Sequence, residues 1–266
     1  FGTSAPELLV SLQAALIGAP DIAIGNVIGS NISNLALVLG ITAMIFPMPV
    51  KDDTIKIDWP MMMGATVLFY LAIVFDNKLN WYEGLAFVVI LVTFIVWLIR
   101  KSRTENKEEE KIMQKEEATS MLYPILLVIV GCVGLALGAN WLLDGAKKVA
   151  VNIGMSEHVI GVTIIAFGTS VPELTTSCIA AFRKQTDISL GNLIGSNLFN
   201  ILAILGITGM VKEIKISAEV FNYDIFWLLG ISLFILPLVL LQKRISRIGG
   251  VMLFAIYISY LYFLLK

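Results

Sequence analysis

The chain has 266 residues, of which 58% are hydrophobic and only 15% charged, with a mean hydropathy of +0.86. Soluble domains of this length are rarely so apolar, which excludes most soluble classes and predicts an all-α, polytopic membrane protein with the lipid bilayer as a partner. The net charge of −1 gives no basic field that would indicate a nucleic-acid partner, and no obligate protein partner is evident.

Hydrophobic runs of about the ~20 residues needed to cross a bilayer predict the helices in chain order. They cover residues 1–17, 21–46, 59–75, 81–100, 121–143, 159–182, 187–211, 219–241 and 248–265. The one long polar stretch, residues 101–120, divides the chain into a first repeat over 1–100, a cytoplasmic linker over 101–120 and a second repeat over 121–266.

The two parts are copies of each other. Residues 1–42 align without gaps to residues 167–208 at a constant offset of 166, with 23 identities in 42 positions. Four complete spans separate the helices that carry the two copies, so the copies run in opposite directions. Inverted repeats are a recurrent construction of secondary transporters. Because the second copy follows a full helix, one span and part of another are expected before residue 1.

Basic residues set the expected orientation in the cell membrane. With the linker in the cytoplasm, the linker region and the alternate loops on its side hold 13 of the 19 basic residues, as the positive-inside rule requires. These residues are Lys51, Lys56, Arg100, Lys101, Arg103, Lys107, Lys111, Lys115, Arg183, Lys184, Lys243, Arg244 and Arg247.

Two acidic residues stand apart from those in loops and at helix ends. Glu7 and Glu173 lie within apolar helices at equivalent places in the two repeats. An ionised residue at membrane depth costs roughly 2.5 kcal/mol or more unless it faces a cavity or a partner. Because no Lys or Arg lies near either motif, a bound cation is the natural counter-charge.

The residues before each glutamate favour a site for a hard cation. Pro6 and Pro172 interrupt their helices and free carbonyls around Thr3 and Thr169, where hydroxyl and carboxylate oxygens also gather. Na⁺ and Ca²⁺ take such oxygen ligands. The alternative is that the prolines only kink the helices and that Ser and Thr side chains hydrogen-bond to the freed backbone groups. Both glutamates would then be protonated and structural.

A second motif, G-N-x-x-G-S-N-x-x-N, follows in each repeat. The pairs Ser30/Asn34 and Ser196/Asn200 are each four residues apart, so each pair shares a helix face and can present neutral oxygens to a cavity. The Gly-x-x-x-Gly spacing permits close helix packing. The remaining asparagines of the motif are expected to form interhelical hydrogen bonds; they are Asn26, Asn31, Asn192 and Asn197.

Three other polar residues receive structural interpretations. Asp21 and Asp187 follow short turns and are predicted to cap the helices that begin there, rather than to form a cation entry path. His158, the single histidine, lies near a helix start and is predicted to be a surface residue rather than a proton relay.

At its two G-T-S-x-P-E motifs (Gly2–Glu7 and Gly168–Glu173) and its two G-N-x-x-G-S-N-x-x-N motifs (Gly25–Asn34 and Gly191–Asn200), the sequence resembles the cation/calcium exchanger superfamily. Within it, the resemblance is to prokaryotic-type sodium/calcium exchangers, and it covers essentially the whole chain. The family fold has ten helices in two inverted halves, so the first helix and part of the second are expected to be missing here.

The resemblance also implies site residues. Glu7 and Glu173, with backbone oxygens of Thr3 and Thr169, would form a central Ca²⁺ site, completed by Asn34 and Asn200. The Ala166 carbonyl with Ser170 and Ser196, and Ser4 with Ser30, would add flanking Na⁺ sites. Some family members have Asp where Asn200 stands, including potassium-dependent ones, so a potassium requirement is not expected.

The expected function is exchange of Na⁺ for Ca²⁺ by alternating access, with both ions as substrates and no cofactor. A proton/calcium antiporter that uses the same glutamate pair is the nearest alternative. A passive cation channel fits less well, because inverted repeats with broken helices suit a gated carrier. An intramembrane enzyme would need a His/Asp partner for Ser4 or Ser170, or an H-E-x-x-H motif, and the sequence has neither.

Overall fold

The computed structural model of the protein describes residues 2–105, 122–183 and 186–266. Helices account for most of these residues. They are α1 (Ala5–Leu16), α2 (Pro20–Ile45), α3 (Trp59–Ile73), α4 (Trp81–Glu105), α5 (Leu122–Ile153), α6 (Glu157–Thr169), α7 (Val171–Phe182), α8 (186–211), α9 (Ile225–Gln242) and α10 (Arg247–Leu264). The strands have two residues each: β1 (Met48–Pro49), β2 (Lys78–Leu79), β3 (Ile214–Lys215) and β4 (Arg244–Ile245).

The all-α membrane fold is confirmed, and every predicted run coincides with a helix except 159–182, which the structure divides between α6 and α7. Among the described residues, five helices are long and apolar enough to cross a membrane, and the bent pair α6/α7 would make a sixth. The helices extend beyond the predicted runs 81–100 and 121–143, since α4 continues to Glu105 and α5 to Ile153. The predicted linker thus begins inside α4, and its residues 106–120 lie outside the described part of the chain.

The helices form an inner and an outer set. In α2 and α8 the most apolar stretch is 83% and 72% buried, whereas in α4 and α10 it is 17% and 28% buried. A helix that is apolar all round lies either in the protein core or against lipid. We therefore place α2 and α8 at the centre of the bundle, with α4 and α10 facing lipid.

Two small antiparallel sheets join the halves at opposite ends of the bundle. At one end β1 pairs with β4, with Met48 opposite Ile245, and at the other end β2 pairs with β3, with Lys78 opposite Lys215. The offset of 166 carries β1 onto β3 and β2 onto β4. Each sheet is therefore the symmetry mate of the other, as inverted repeats require, and the repeat extends well beyond residue 42.

Glycine pairs bring each outer helix onto the central helix of the other half. A methyl group at Gly250 of α10 would lie 2.7 Å from the carbonyl oxygen of Gly40 in α2, and one at Gly84 of α4 would lie 2.5 Å from that of Gly206 in α8. Only a residue without a side chain permits so close a backbone approach. The two crossings are again related by the offset of 166, so the halves interlock symmetrically.

The loops at the β1–β4 end carry charged contacts between the halves. Lys243 donates to Oδ1 of Asp52 at 3.0 Å, and the Val50 amide donates to the Lys243 carbonyl at 2.9 Å. The Lys243 hydrogen bond lowers the pKa of the exposed Asp52 carboxyl. Because the ionised form makes the contact, the link weakens as the pH falls through that lowered pKa.

The prediction that His158 is a surface residue is wrong. The residue is 5% exposed, and Nε2 lies at hydrogen-bond distance from Oδ2 of Asp224. The hydroxyl of Tyr260 donates to the other oxygen of this fully buried carboxylate at 2.9 Å. The histidine is buried because its ring pairs with the buried carboxylate of Asp224, which would otherwise be costly to remove from water.

The capping role predicted for Asp21 is also wrong. The residue that precedes α2 is Ala19, Pro20 occupies the first turn, and Asp21 makes no capping hydrogen bond. Proline at the first position leaves one fewer amide to satisfy, and an acidic residue in the first turn still interacts favourably with the helix dipole. Asp187 is the second residue of α8, and its side chain lies outside the described residues.

Candidate ion-binding site

The site begins at two helix starts. Helix α6 ends at Thr169, and α7 starts at Val171 at an angle of 43° to it. The helix is therefore interrupted at Ser170. Pro172 and Pro6 occupy the first turns of α7 and α1, where proline is tolerated because the amide it lacks has no helical partner. The prolines therefore start new helices rather than kink continuous ones.

Glu7 and Glu173 are each the third residue of these helices, and both are fully buried. A helix N-terminus favours a carboxylate through its free amides and its dipole. The two side chains come from opposite halves and are close enough to interact electrostatically. Within residues 2–105, 122–183 and 186–266, neither glutamate forms a salt bridge.

Most oxygens of the two carboxylates have no hydrogen-bond partner in the described part of the chain. Both oxygens of Glu7 and Oε2 of Glu173 are buried without a hydrogen-bond partner among the described residues. Oε1 of Glu173 accepts from the Ser4 hydroxyl at 3.2 Å. Such unsatisfied buried oxygens are rare in proteins, and they are free to bind a cation or a water molecule.

Hydroxyl groups surround the carboxylates and join the two halves. Ser4 contacts Ser196, with 3.1 Å between the hydroxyl oxygens, and Ser30 contacts the Ala166 carbonyl at 3.4 Å and the Thr169 hydroxyl at 3.3 Å. These contacts correct the grouping implied by the resemblance, which placed Ser196 with Ala166 and Ser30 with Ser4. Thr169 lies beside Glu7, and Thr3 beside Glu173.

Close packing of α2 on α6 makes this arrangement possible. A methyl group at Gly29 would lie 2.5 Å from the Val162 carbonyl oxygen and 2.8 Å from the Ala166 side chain. The absence of a side chain thus brings Ser30 to Ala166, which confirms the predicted role of the glycine spacing in the first repeat. At the equivalent Gly195, a methyl group would meet nothing within 4 Å in the described structure.

Asn34 and Asn200 lie one turn beyond the two serines, in π-helical segments. These segments span Ser33–Val38 in α2 and Asn200–Leu205 in α8. π-helical turns occur frequently at functional sites. Oδ1 of both asparagines is buried and has no hydrogen-bond partner among the residues the structure describes.

Eight of the eleven predicted site residues therefore lie in one connected region. Ten of the eleven are buried, and Thr3 is half-buried. The eleven are Thr3, Ser4, Glu7, Ser30, Asn34, Ala166, Thr169, Ser170, Glu173, Ser196 and Asn200. The contacts above connect all of them except Ser170, Asn34 and Asn200; Ser170 lies at the helix break with an unpartnered, buried hydroxyl.

Asn26 belongs to the site as a supporting residue. It accepts a hydrogen bond from the Thr169 hydroxyl at 3.0 Å and donates to the Glu7 carbonyl at 3.2 Å. The expected interhelical bonding is confirmed for Asn26, Asn31 and Asn197. In the described residues Asn192 forms no such bond. The repeated motif indicated that these asparagines form interhelical hydrogen bonds, but it could not show which partner each amide contacts.

Chemically, the region offers two carboxylates and several neutral oxygens, held in a buried space at a break between helices. Ligands of this type suit hard cations such as Na⁺ and Ca²⁺. The carboxylates come from different halves, so an ion bound between them would contact both repeats at once.

Comparisons with known proteins agree with this chemistry. The family described as sodium/calcium exchanger protein matches residues 1–100 and 123–266. The protein CaxA of Alkalimonas amylolytica is 36% identical over 271 residues, covering 99% of this chain and 85% of CaxA. The sodium/calcium exchanger MaX1 of Methanosarcina acetivorans is 28% identical, covering 98% and 85% respectively.

Solved structures give the same result. A structure of the sodium-calcium exchanger NCX_Mj soaked with Na⁺ and Sr²⁺ superimposes with a TM-score of 0.74 at 31% identity. The match covers 98% of this chain and 82% of that one. The similarity therefore extends over nearly all of the fold described above.

Proposed function

The chain belongs to the sodium/calcium exchanger family and is a multi-pass membrane antiporter of calcium and other cations, and we propose that it exchanges Na⁺ for Ca²⁺ at a site between Glu7 and Glu173. We assign the eleven residues of the site to the bound ions, and we place the protein in the cell membrane with the linker 101–120 in the cytoplasm between the repeats 1–100 and 121–266.

One observation carries the proposal. Three carboxylate oxygens of Glu7 and Glu173 are buried without a hydrogen-bond partner among the described residues. The Ser4 hydroxyl reaches only the fourth oxygen, Oε1 of Glu173, and the Thr169 hydroxyl donates to Asn26. Leaving a buried carboxylate unpaired is costly, so such a group either takes up a proton or pairs with a cation. A site so rich in acceptors fits a cation.

Charge balance gives the exchange its logic. Two carboxylates balance one Ca²⁺ or two Na⁺, so the two kinds of ion compete for the same space. Any further Na⁺ would use neutral oxygens and would make the exchange electrogenic. When ions fill the site, no buried charge remains unpaired, and the protein can switch the side of the membrane from which the site is open. An empty, charged site resists closure because its carboxylates would be buried without a partner.

Proton/calcium exchange at the same glutamates is the second candidate. Proton carriers require carboxylates, but they do not require a cage of neutral oxygens. The hydroxyls of Ser170 and Thr3 and the amide oxygens of Asn34 and Asn200 are buried and lack hydrogen-bond partners within the described chain, which favours Na⁺. The relatives MaX1 and NCX_Mj are both named for sodium and calcium.

Flux measurements distinguish the coupling ions. Vesicles containing the purified protein are loaded with Na⁺ and diluted into Na⁺-free medium that contains radioactive Ca²⁺. A second set carries a pH gradient and no Na⁺, and protein-free vesicles are the control. The proposal predicts Ca²⁺ uptake with the Na⁺ gradient only. Uptake driven by the pH gradient alone would establish proton/calcium exchange, and uptake without either gradient would establish a passive pathway.

A further inference from the structure

Four asparagines form a network of hydrogen bonds where α2 crosses α8, beside the proposed ion site. Asn31 and Asn34 come from the first half, and Asn197 and Asn200 are their equivalents at the offset of 166. All four are at most 1% exposed. Nδ2 of Asn34 donates to Oδ1 of Asn197, and Nδ2 of Asn200 donates to Oδ1 of Asn31, each at 3.0 Å.

Backbone carbonyls fix the orientation of the inner pair. Nδ2 of Asn31 donates to the Asn197 carbonyl at 3.4 Å, and Nδ2 of Asn197 donates to the Asn31 carbonyl at 3.1 Å. A backbone carbonyl can only accept a hydrogen bond. The NH₂ group of each inner asparagine must therefore point to the opposite backbone, and its Oδ1 must point towards the neighbouring Asn200 or Asn34.

The same reasoning fixes the outer pair. Oδ1 of Asn31 can only accept a hydrogen bond, so the NH₂ group of Asn200 must point towards it. In the same way, the NH₂ group of Asn34 must point towards Oδ1 of Asn197. The oxygens of Asn34 and Asn200 are thereby turned away from the network, and both are buried without a partner among the described residues. If either amide were flipped, it would present NH₂ donors to a cation.

We propose that Asn31 and Asn197 are positioning residues that determine which end of the Asn200 and Asn34 amides faces the ions. Each acts across the interface, Asn31 of the first half on Asn200 of the second and Asn197 on Asn34. This rests on the proposed function, because it requires that Asn34 and Asn200 contact the ions. Groups that orient metal ligands typically change metal affinity by about 10–100-fold when they are removed.

A mutant cycle read by Ca²⁺ binding to the purified protein tests the crosswise action. Leu matches the shape of Asn without its polar atoms, so the variants are Asn31→Leu, Asn200→Leu and their combination. Asn31→Leu is expected to weaken Ca²⁺ binding about tenfold. The double variant is expected to bind no more weakly than Asn200→Leu alone, because Asn31 acts through Asn200.

The matched control combines Asn31→Leu with Asn34→Leu. Asn34 lies one turn from Asn31 on the same helix but is oriented by Asn197, so these two effects should add. If Asn31 were merely structural, its effect on Ca²⁺ affinity would combine with that of Asn34→Leu in the same way as with that of Asn200→Leu. Thr42→Val, which removes a buried hydroxyl that donates to the Val38 carbonyl of its own helix and lies beside Cys178, should leave Ca²⁺ affinity unchanged.

Unchanged affinity in Asn31→Leu, or full additivity with Asn200→Leu, overturns the inference. Unchanged affinity in Asn200→Leu overturns it too, and loss of binding in Glu173→Gln would then show that the carboxylate site still stands. If Asn31→Leu does not fold, the equivalent cycle of Asn197→Leu with Asn34→Leu gives the same decision.

Discussion

Asn200 is one of the proposed ion ligands, and a change of its charge tests that assignment. We expect Asn200→Asp to make Ca²⁺ exchange more pH-sensitive, or more responsive to K⁺, than in the parent protein. In the proposed site the new carboxyl lies near two others in a poorly solvated space, and burial and like charge both favour its protonated form. A protonated carboxyl resembles the amide and can donate to Oδ1 of Asn31, whereas the ionised form cannot.

The measurement is Ca²⁺ flux across a pH series, with and without K⁺. When the new carboxyl ionises, the site carries a negative charge that one Ca²⁺ does not balance, so transport slows unless H⁺ or K⁺ accompanies it. Flux that coincides with the parent at every pH and K⁺ concentration would remove Asn200 from the proposed ion ligands.

The buried pair of His158 and Asp224 is expected to stabilise the protein. His158→Leu removes one partner and leaves the Asp224 carboxylate with the Tyr260 hydroxyl, and breaking a buried pair in this way costs about 3–5 kcal/mol. The double variant with Asp224→Leu should recover part of the loss, because no buried charge remains. Melting temperatures in detergent test both effects, and an unaltered melting temperature in His158→Leu would contradict the assignment.

Among helices, the glycine crossings make the sharpest prediction. Gly250→Ala and Gly84→Ala each place a methyl group against a backbone carbonyl of the other half, at 2.7 and 2.5 Å. Overpacking of this kind typically costs about 1–3 kcal/mol. Both variants are therefore expected to melt at a lower temperature than the parent protein.

Gly64→Ala in α3 is the matched control, since its methyl group would meet nothing within 4 Å in the described structure. Alanine also has the higher helix propensity, so this variant should be as stable as the parent or more so. Equal melting temperatures for all three variants would show that the crossings are looser than the structure indicates.

Sequence periodicity located the helices but not their ends or partners. The extra turns of α4 and α5 are more polar than the hydrophobic runs, so hydropathy ended these spans early. The hydrophobic pattern also gave no prediction for Asp224, which lies within a predicted run and corresponds to Asp58 by the offset of 166. The burial of His158 depends on this residue, which is 66 positions away, and local sequence carries no signal of that contact.

The site was predictable to the extent that the repeat determines it. The two copies of each motif, at the constant offset of 166, indicated the glutamates, hydroxyls and amides as candidates. The crosswise contacts of Ser4 with Ser196 and of Ser30 with Ala166 were not predictable, because they depend on how α2 packs on α6 and α1 on α8. Packing between helices distant in sequence sets these partners.

For the whole molecule, the two small sheets predict which loops share a side of the membrane. Cysteines introduced at Lys78 and Glu213 should react with an impermeant thiol reagent from one side, and cysteines at Lys51 and Lys243 from the other. Lys78 and Glu213 already form an ion pair at 3.2 Å. The background replaces Cys132 and Cys178 by Ala. Labelling of all four positions from one side would contradict the inverted arrangement.

The shared carboxylate site is tested most directly by Na⁺-driven Ca²⁺ uptake into vesicles that contain Glu7→Gln or Glu173→Gln protein. Glutamine keeps the shape of the side chain and removes half of the site's charge, while Glu213→Gln at an exposed ion pair is the control. We expect both site variants to insert normally and to lose uptake, and the control to retain it. Near-normal uptake by both Glu7→Gln and Glu173→Gln would show that the ions bind elsewhere.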